Sequence, residues 1–255
     1  MNLKSFYLLL CCLLVAGVAT AQEITKVVAH RGYWKVEGSA QNSVRSLECA
    51  SEINAFGSEF DVHLTADNVL VVHHDDDIQG KHIQSCTYKE LRNLRLSNGE
   101  KLPTLKKLLK RARKLKNIQL VFELKPHATQ ARNQEAARAS AAMIEKMKLV
   151  DRTDYISFSL DACKEFIRIA PQNKVFYLNG ELDPQALKKL GFAGLDYHYK
   201  KIQEHPEWVK ECRALNMQTN VWTVNEKEVM QEMIDLGVDY ITTNEPEDLQ
   251  ELLKK

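Results

Sequence analysis

The sequence predicts an α/β fold, a (β/α)8 TIM barrel with a short β-hairpin after the second strand. Two patterns and one absence point to it. Short apolar runs rich in β-branched residues alternate with helical patterns along the whole 255-residue chain. Eight such runs remain, near residues 27, 59, 120, 157, 176, 195, 220 and 240, once one hairpin arm is set aside. A doubly wound open sheet normally uses fewer strands and a glycine-rich first turn, and the chain has no GxGxxG.

The first strand is Val27-Val28-Ala29, which ends on His30-Arg31-Gly32. From Ser43 to Phe56, Val44, Leu47, Ala50 and Ile53 recur at steps of three, the spacing of a helix face. A second apolar run, Glu59–Leu64, is followed almost at once by Val69–Val72, with Thr65-Ala66-Asp67-Asn68 between them. A parallel crossover needs about a dozen residues, so this pair is read as an antiparallel hairpin. Leu105, Leu108, Leu109, Ala112 and Leu115 then punctuate a basic stretch, Lys106–Lys116. The simpler reading packs these leucines on the barrel and solvates the charges; contact with an anionic membrane surface is the less favoured alternative. Further strands are expected over 117–123, 155–159, 174–178, 193–198, 217–223 and 238–243. Helices such as Ala131–Lys148 and Glu226–Leu236 lie between them. Asn244-Glu245-Pro246 reads as a last helix start, with Pro246 in the first turn and leucines at 249, 252 and 253.

Residues 1–21 have the pattern of a secretory signal. Lys4 supplies the positive region, Phe6–Val18 is apolar but too short to span a bilayer, and Ala19-Thr20-Ala21 offers a cleavage site before Gln22. Leu10 and Cys11 precede Cys11 and Cys12 where a lipoprotein signal would place a small residue, which argues against lipidation. The expected mature protein is therefore exported, periplasmic or extracellular, with residues 22–255 as one catalytic-sized domain. The composition of the full chain, 44% hydrophobic and 27% charged, is that of a globular protein, and its net charge of +1 includes Lys4, so the mature chain is formally near zero and gives no reason to expect nucleic acid as a partner. Cys49, Cys86, Cys163 and Cys212 remain after processing. An oxidising compartment permits disulfides, but a domain of this size does not need them, and buried thiols are the simpler reading. No CxxC or Cys/His spacing suggests zinc.

The strand ends carry the chemistry. Glu59 and Asp61 are two apart, so on a strand both carboxylates share one face. Glu123 and Lys125 repeat the spacing after Leu120-Val121-Phe122. Barrel strands are packed inside and covered by helices outside, so the C-terminal mouth is the natural place for such charge. Carboxylates without thiols favour Mg²⁺ or Ca²⁺ over a softer metal. His30 is followed by Arg31, a forked donor matched to phosphate oxygens, and by Gly32, which allows close backbone approach. His73 and His74 are adjacent, so they face opposite ways and only one is expected to serve the site. His63 shares the parity of Glu59 and Asp61, and Tyr33, Trp34 and Trp222 are candidates for walling an alcohol moiety. Asp75-Asp76-Asp77 with Gly80 hints at a calcium loop, but Cys86 stands where an EF-hand needs Glu.

In this order, His30-Arg31-Gly32, Glu59-Phe60-Asp61, Leu70–Asp75 and Glu123-Leu124-Lys125 resemble the motifs of the glycerophosphodiester phosphodiesterase family. Val221–Asn225 and Leu236–Pro246 resemble its closing segment. The likeness covers nearly the whole mature chain. It implies a barrel enzyme, a phosphoric diester hydrolase, in which Glu59, Asp61 and Glu123 bind one divalent ion, Ca²⁺ or Mg²⁺. It implies His30 and His74 as the general acid/base pair, with His74 preferred to His73 because it directly precedes Asp75. Arg31 and Lys125 then correspond to the phosphate binders, and Trp222 to a wall of the substrate site. The chain departs from the family in two places. Ala40-Gln41-Asn42 replaces the usual Pro-Glu-Asn, removing a negative charge near Arg31. Thr243-Asn244-Glu245-Pro246 replaces Thr-Asp-x-Pro, and little is expected of that change.

The function these readings imply is an exported metal-dependent phosphodiesterase that cleaves glycerophosphodiesters to an alcohol and glycerol phosphate. One histidine takes a proton from water or from a neighbouring substrate hydroxyl, and the other protonates the leaving alkoxide. The alternatives are a phospholipase-D-like or cyclising enzyme acting on lysophospholipids, and a non-catalytic phosphate-ligand binding protein on the same barrel.

Overall fold

The computed structural model of the protein describes residues 25–115 and 117–254. The expected signal segment, with Cys11 and Cys12, and also Lys116 lie outside the described residues. The strands are β1 (Lys26–Ala29), β2 (Gly57–Leu64), β3 (Leu70–Val72), the two-residue arms β4 (Asp77–Ile78) and β5 (Lys81–His82), β6 (Gln119–Leu124), β7 (Thr153–Ser157), β8 (Val175–Tyr177), β9 (Gly194–His198), β10 (Gln218–Trp222) and β11 (Tyr240–Thr243). The main sheet runs β1-β11-β10-β9-β8-β7-β6-β2-β3 and closes because β1 also pairs with β2, Val28 opposite Gly57. Every pairing within the ring is parallel; only β3 runs antiparallel, Val62 opposite Val72 and Leu64 opposite Leu70. The fold is thus the expected eight-stranded parallel barrel with a hairpin on its second strand.

Alternation along each strand separates two environments. On β2, Phe60, Val62 and Leu64 face the helix layer and join the large outer core, whereas Glu59 and Asp61 share the other face. Inside the barrel Val28, Val121, Ile156, Phe176 and Tyr240 pack as a separate apolar plug. The outer core centres on Phe122 of β6, whose ring meets Phe60, Tyr155 and Phe166 edge-on at 5.5, 5.6 and 6.3 Å. Phe122 is fully buried, so Phe122→Ala is expected to cost about 3–5 kcal/mol in equilibrium denaturation, through lost contacts and an unfilled cavity. A cost under about 1 kcal/mol would mean that this ring does not anchor the core.

The strand expected over 155–159 begins two residues earlier, because polar Thr153 and Asp154 still pair with Leu120 and Val121 at the bottom of the barrel. Phe158 is thereby released from the strand into the mouth. The basic helix spans Leu105–Ala112, buries Leu105, Leu108, Leu109 and Ala112, and leaves Lys106, Lys107 and Lys110 exposed. This is the barrel-packing arrangement. Pro246 opens the last helix, Pro246–Leu252, as expected. Cys49, Cys86, Cys163 and Cys212 are free thiols, and all but Cys86 are buried. No described helix is long and apolar enough to cross a membrane.

Candidate active site

The predicted polar residues converge at the C-terminal mouth. His30, Arg31, Glu59, His74, Glu123 and Trp222 line a single cavity of about 110 Å³. Asp61 and Lys125 stand directly against them: Lys125 Nζ lies 2.8 Å from Glu123 Oε1 and 3.4 Å from Asp61 Oδ1. Register explains the convergence, because β2 and β6 pair with Glu59 opposite Val121 and Asp61 opposite Glu123. Lys125 is the first residue past β6 and keeps the parity of Glu123.

The first loop is built around Arg31, whose φ is 56°, and Gly32, whose φ is 74°. A Cβ on Gly32 would stand 2.4 Å from Ser46 Oγ and 2.7 Å from the Ser46 backbone, so no larger residue fits. The Arg31 amide donates to Glu59 Oε2 at 2.7 Å, and its Nη1 donates to Gln41 Oε1 at 2.7 Å. Gln41 therefore still holds the guanidinium as an acceptor, but without neutralising it. Asn42, at φ 60°, clamps Asp61 twice: its Nδ2 donates to Asp61 Oδ2 at 2.8 Å, and its Oδ1 accepts from the Asp61 amide at 3.0 Å.

Oxygens of Glu59, Asp61 and Glu123 lie within 4.8 Å of one another, and all three residues are buried. Burial first, then the Asp61 charge, pushes the Glu59 carboxyl well above its ordinary value and Glu123 up to about 7. Burial alone would also raise Asp61, but Lys125, His74, Asn42 and Arg31 outweigh it and hold that carboxyl below its ordinary value. Burial opposes the Lys125 charge, and the facing Glu123 and Asp61 carboxylates more than restore it. Glu59 Oε1 is buried without a hydrogen-bond partner. Three crowded hard-oxygen donors, one with a spare lone-pair site, fit a divalent cation such as Ca²⁺ or Mg²⁺.

Each histidine has one ring nitrogen committed. The indole Nε1 of Trp34 donates to Asn244 Oδ1 at 3.1 Å, which fixes that atom as the oxygen. His30 Nδ1, 2.9 Å from the same oxygen, must then be the protonated nitrogen, and Nε2 is left facing the cavity, 4.0 Å from Glu59 Oε2. Burial, then the Arg31 charge, lowers the His30 pKa to about 4. His74 Nδ1 lies 2.7 Å from Asp75 Oδ1, which likewise leaves Nε2 for the mouth. His73 does not line this cavity; its amide donates to Asp61 O at 3.0 Å. His63 supports the loop rather than the mouth. It is fully buried, accepts from Gln84 Nε2 at 3.1 Å and donates from Nε2 to the His74 carbonyl at 3.4 Å. Tyr33 bonds Glu247 at 2.5 Å and Trp34 bonds Asn244, so both brace the first loop.

Residues 30–248, the stretch that contains this constellation, match a sequence model of the glycerophosphoryl diester phosphodiesterase family. The chain belongs to that family. It is 29% identical over 247 residues to a glycerophosphodiester phosphodiesterase of Caldanaerobacter subterraneus subsp. tengcongensis, covering 91% of this chain and 98% of the relative. A crystal structure of a glycerophosphodiester phosphodiesterase from Parabacteroides distasonis is 70% identical, with a TM-score of 0.90 over 90% of this chain and 97% of the other. A phosphodiesterase from Oleispira antarctica, solved in complex with the product sn-glycerol-3-phosphate, shares the fold at 23% identity and a TM-score of 0.80, over 91% of this chain and 98% of the other.

Against the family pattern, position 244 has a larger part in the site than its sequence suggested, because Asn244 is the group that orients His30. Asn244→Asp is expected to move the His30-controlled limb of the kcat/KM pH profile upward by about one unit, since a carboxylate facing Nδ1–H favours the imidazolium. The sign is the same whether His30 is the acid or the base, and an unmoved or lowered limb would remove Asn244 from the site. Sequence reasoning also passed over Asn42, Asp75 and Asp196. Asn42 and Asp75 sit inside recognisable motifs, and only the folded contacts give them roles. Asp196 lies mid-strand between Leu195 and Tyr197, and only the alternation of β9 signals that it points inward.

Proposed function

We propose that this protein is an exported, metal-dependent phosphodiesterase that hydrolyses glycerophosphodiesters to an alcohol and glycerol phosphate. The observation that carries the reading is the buried Glu59, Asp61 and Glu123 cluster opening on the same cavity as the uncommitted Nε2 atoms of His30 and His74. Family membership supports the ester class, and the sequence of residues 1–21 supports export.

Glu59, Asp61 and Glu123 would hold the ion, which when bound supplies positive charge to the phosphoryl oxygens. Arg31, fixed at Nη1 by Gln41 and with Nε turned toward Asp61 Oδ2 at 4.0 Å, has Nη2 left for a phosphoryl oxygen. Lys125 helps to keep Asp61 ionised and adds charge beside the phosphate. Of His30 and His74, one takes the proton from the attacking hydroxyl at its Nε2, and the other delivers a proton from Nε2 to the departing alkoxide oxygen. The attacking group is water or the hydroxyl adjacent to the ester on the glycerol itself. Trp222, Phe158 and Leu178 give the alcohol an apolar wall that excludes water. The apolar lining is confined to Ile156, Phe158, Leu178 and Trp222, a short wall that suits a small water-soluble diester better than a lysophospholipid, whose acyl chain needs a longer apolar groove.

The test is turnover by purified protein on glycerophosphocholine, glycerophosphoethanolamine, glycerophosphoglycerol and lysophosphatidylcholine, before and after chelation. Glycerol phosphate release that stops with chelator and returns with Mg²⁺ or Ca²⁺ is expected, fastest on the soluble diesters. No metal-dependent turnover across the panel would leave a binding protein on the same barrel; preference for the lysolipid would favour the lysophospholipase-D-like alternative.

A further inference from the structure

Beneath the phosphate-binding wall, the cavity floor carries a carboxyl that the reaction outlined above does not use. Asp196 of β9 points into the barrel with Asn220 as its register partner on β10, and it lines the mouth cavity together with Ile156, Trp222 and Thr242. It is only 1% exposed, and its Oδ1 has no hydrogen-bond partner. A buried acceptor left unmatched is costly, so its retention calls for a partner. Asn220 reaches the Asp196 carboxyl from the next strand, yet Oδ1 is left without a partner. Asn220 and Thr242 bond each other at 3.0 and 3.2 Å, and the Trp222 indole donates to the backbone carbonyl of Asp196 at 2.9 Å. Trp222 is thus pinned as a wall by the same residue whose Oδ1 remains open on the floor.

Resting on the phosphodiesterase reading, we propose that Asp196 is a specificity residue, accepting a hydrogen bond from the terminal hydroxyl of the glycerol group, the one furthest from the scissile ester. The geometry of the cavity supplies the argument. Arg31, with the ion that Glu59 and Glu123 would hold, places the phosphate end on one wall, and Phe158, Leu178 and Trp222 offer only apolar or engaged surface to the carbon chain. The hydroxyl next to the ester is held near the reacting phosphorus by its own covalent bonds. The terminal hydroxyl, two carbons from the ester-bearing carbon, reaches further, and Asp196 is the floor group with an open acceptor. A carboxyl accepts from an alcohol O–H in either protonation state, so the assignment does not depend on its charge.

A small cavity of about 20 Å³ on the opposite side of Asp196, lined also by Asn220 and Asp154, is large enough for one water and offers the competing, purely structural use of the carboxyl. Substrate analogues separate the two. Wild-type enzyme is assayed on glycerophosphocholine and on the analogue whose glycerol carries a methyl in place of the terminal CH₂OH, keeping the hydroxyl beside the ester. The analogue is expected to lose about 10- to 100-fold in kcat/KM, because it leaves the Asp196 acceptor unpaired. Asp196→Ala is expected to lose activity on glycerophosphocholine by a similar factor but to treat the two substrates alike, within about threefold. Asp196→Asn, whose amide oxygen still accepts, should restore most of the discrimination. Equal wild-type rates on both substrates overturn the proposal without needing a folded variant. So does discrimination that survives in Asp196→Ala, or a loss in that variant which falls equally on both substrates and leaves the wild-type ratio intact. Failure of the phosphodiesterase reading is distinguishable, since wild type would then turn over neither diester.

Discussion

Asp61→Asn is expected to lower kcat/KM on a glycerophosphodiester by about a thousandfold or more, and to abolish tight binding of Mg²⁺ or Ca²⁺ in titration calorimetry. Asp61 is the carboxylate of the three that the surroundings keep ionised. Burial opposes its charge, but Lys125, His74, Asn42 and Arg31 prevail. Glu59 and Glu123, by contrast, are pushed upward by burial and by Asp61 itself, so in the absence of a cation they tend to hold protons. A cation reverses that balance by stabilising all three anions, which is why binding should release protons and weaken as pH falls below about 7, the Glu123 value. The substitution is close to isosteric, and Asn42 can still donate to the amide oxygen, so the fold should survive. Near-normal turnover in a folded Asp61→Asn variant would show that the cluster is not the ion site.

His30→Ala and His74→Ala are each expected to reduce kcat by about 10²- to 10⁴-fold, the usual contribution of a positioned proton-transfer group. The leaving group decides which histidine does what. With a 4-nitrophenyl ester the departing oxygen needs no proton, so the variant lacking the general acid should recover most of its rate, while the variant lacking the base stays impaired. Recovery in neither, or turnover undiminished in both, would remove the acid/base assignment. Asp75→Ala should behave as a weakened His74→Ala, because it loses the 2.7 Å contact at Nδ1 but leaves the ring.

How much of this could be read in one dimension differs by residue. Glu59 and Asp61 are two apart on a strand, and the period of the pleat alone puts them on one face. The hairpin followed from loop length alone, since four residues cannot make a parallel crossover. Periodicity misses the start of β7 because Thr153 and Asp154 lack apolar character; they are held in the strand by β6 on one side, a long-range pairing invisible to a local window. His63 has the parity of the site residues, yet it serves as a strut between Gln84 and the His74 carbonyl. Parity specifies a face, and the hairpin decides what covers that face.

The sequence by itself determined the barrel, the strand ends that bear charge and the family, because periodicity, loop length and ordered motifs are local properties of the chain. The tertiary structure decided the relations across the ring. It paired Asp61 with Glu123 by register, turned His30 by Asn244 across 214 residues of sequence, and set Asp196 under the mouth. Those contacts depend on barrel closure between β1, β2 and β11, and closure is a property of the whole sheet that no short segment encodes.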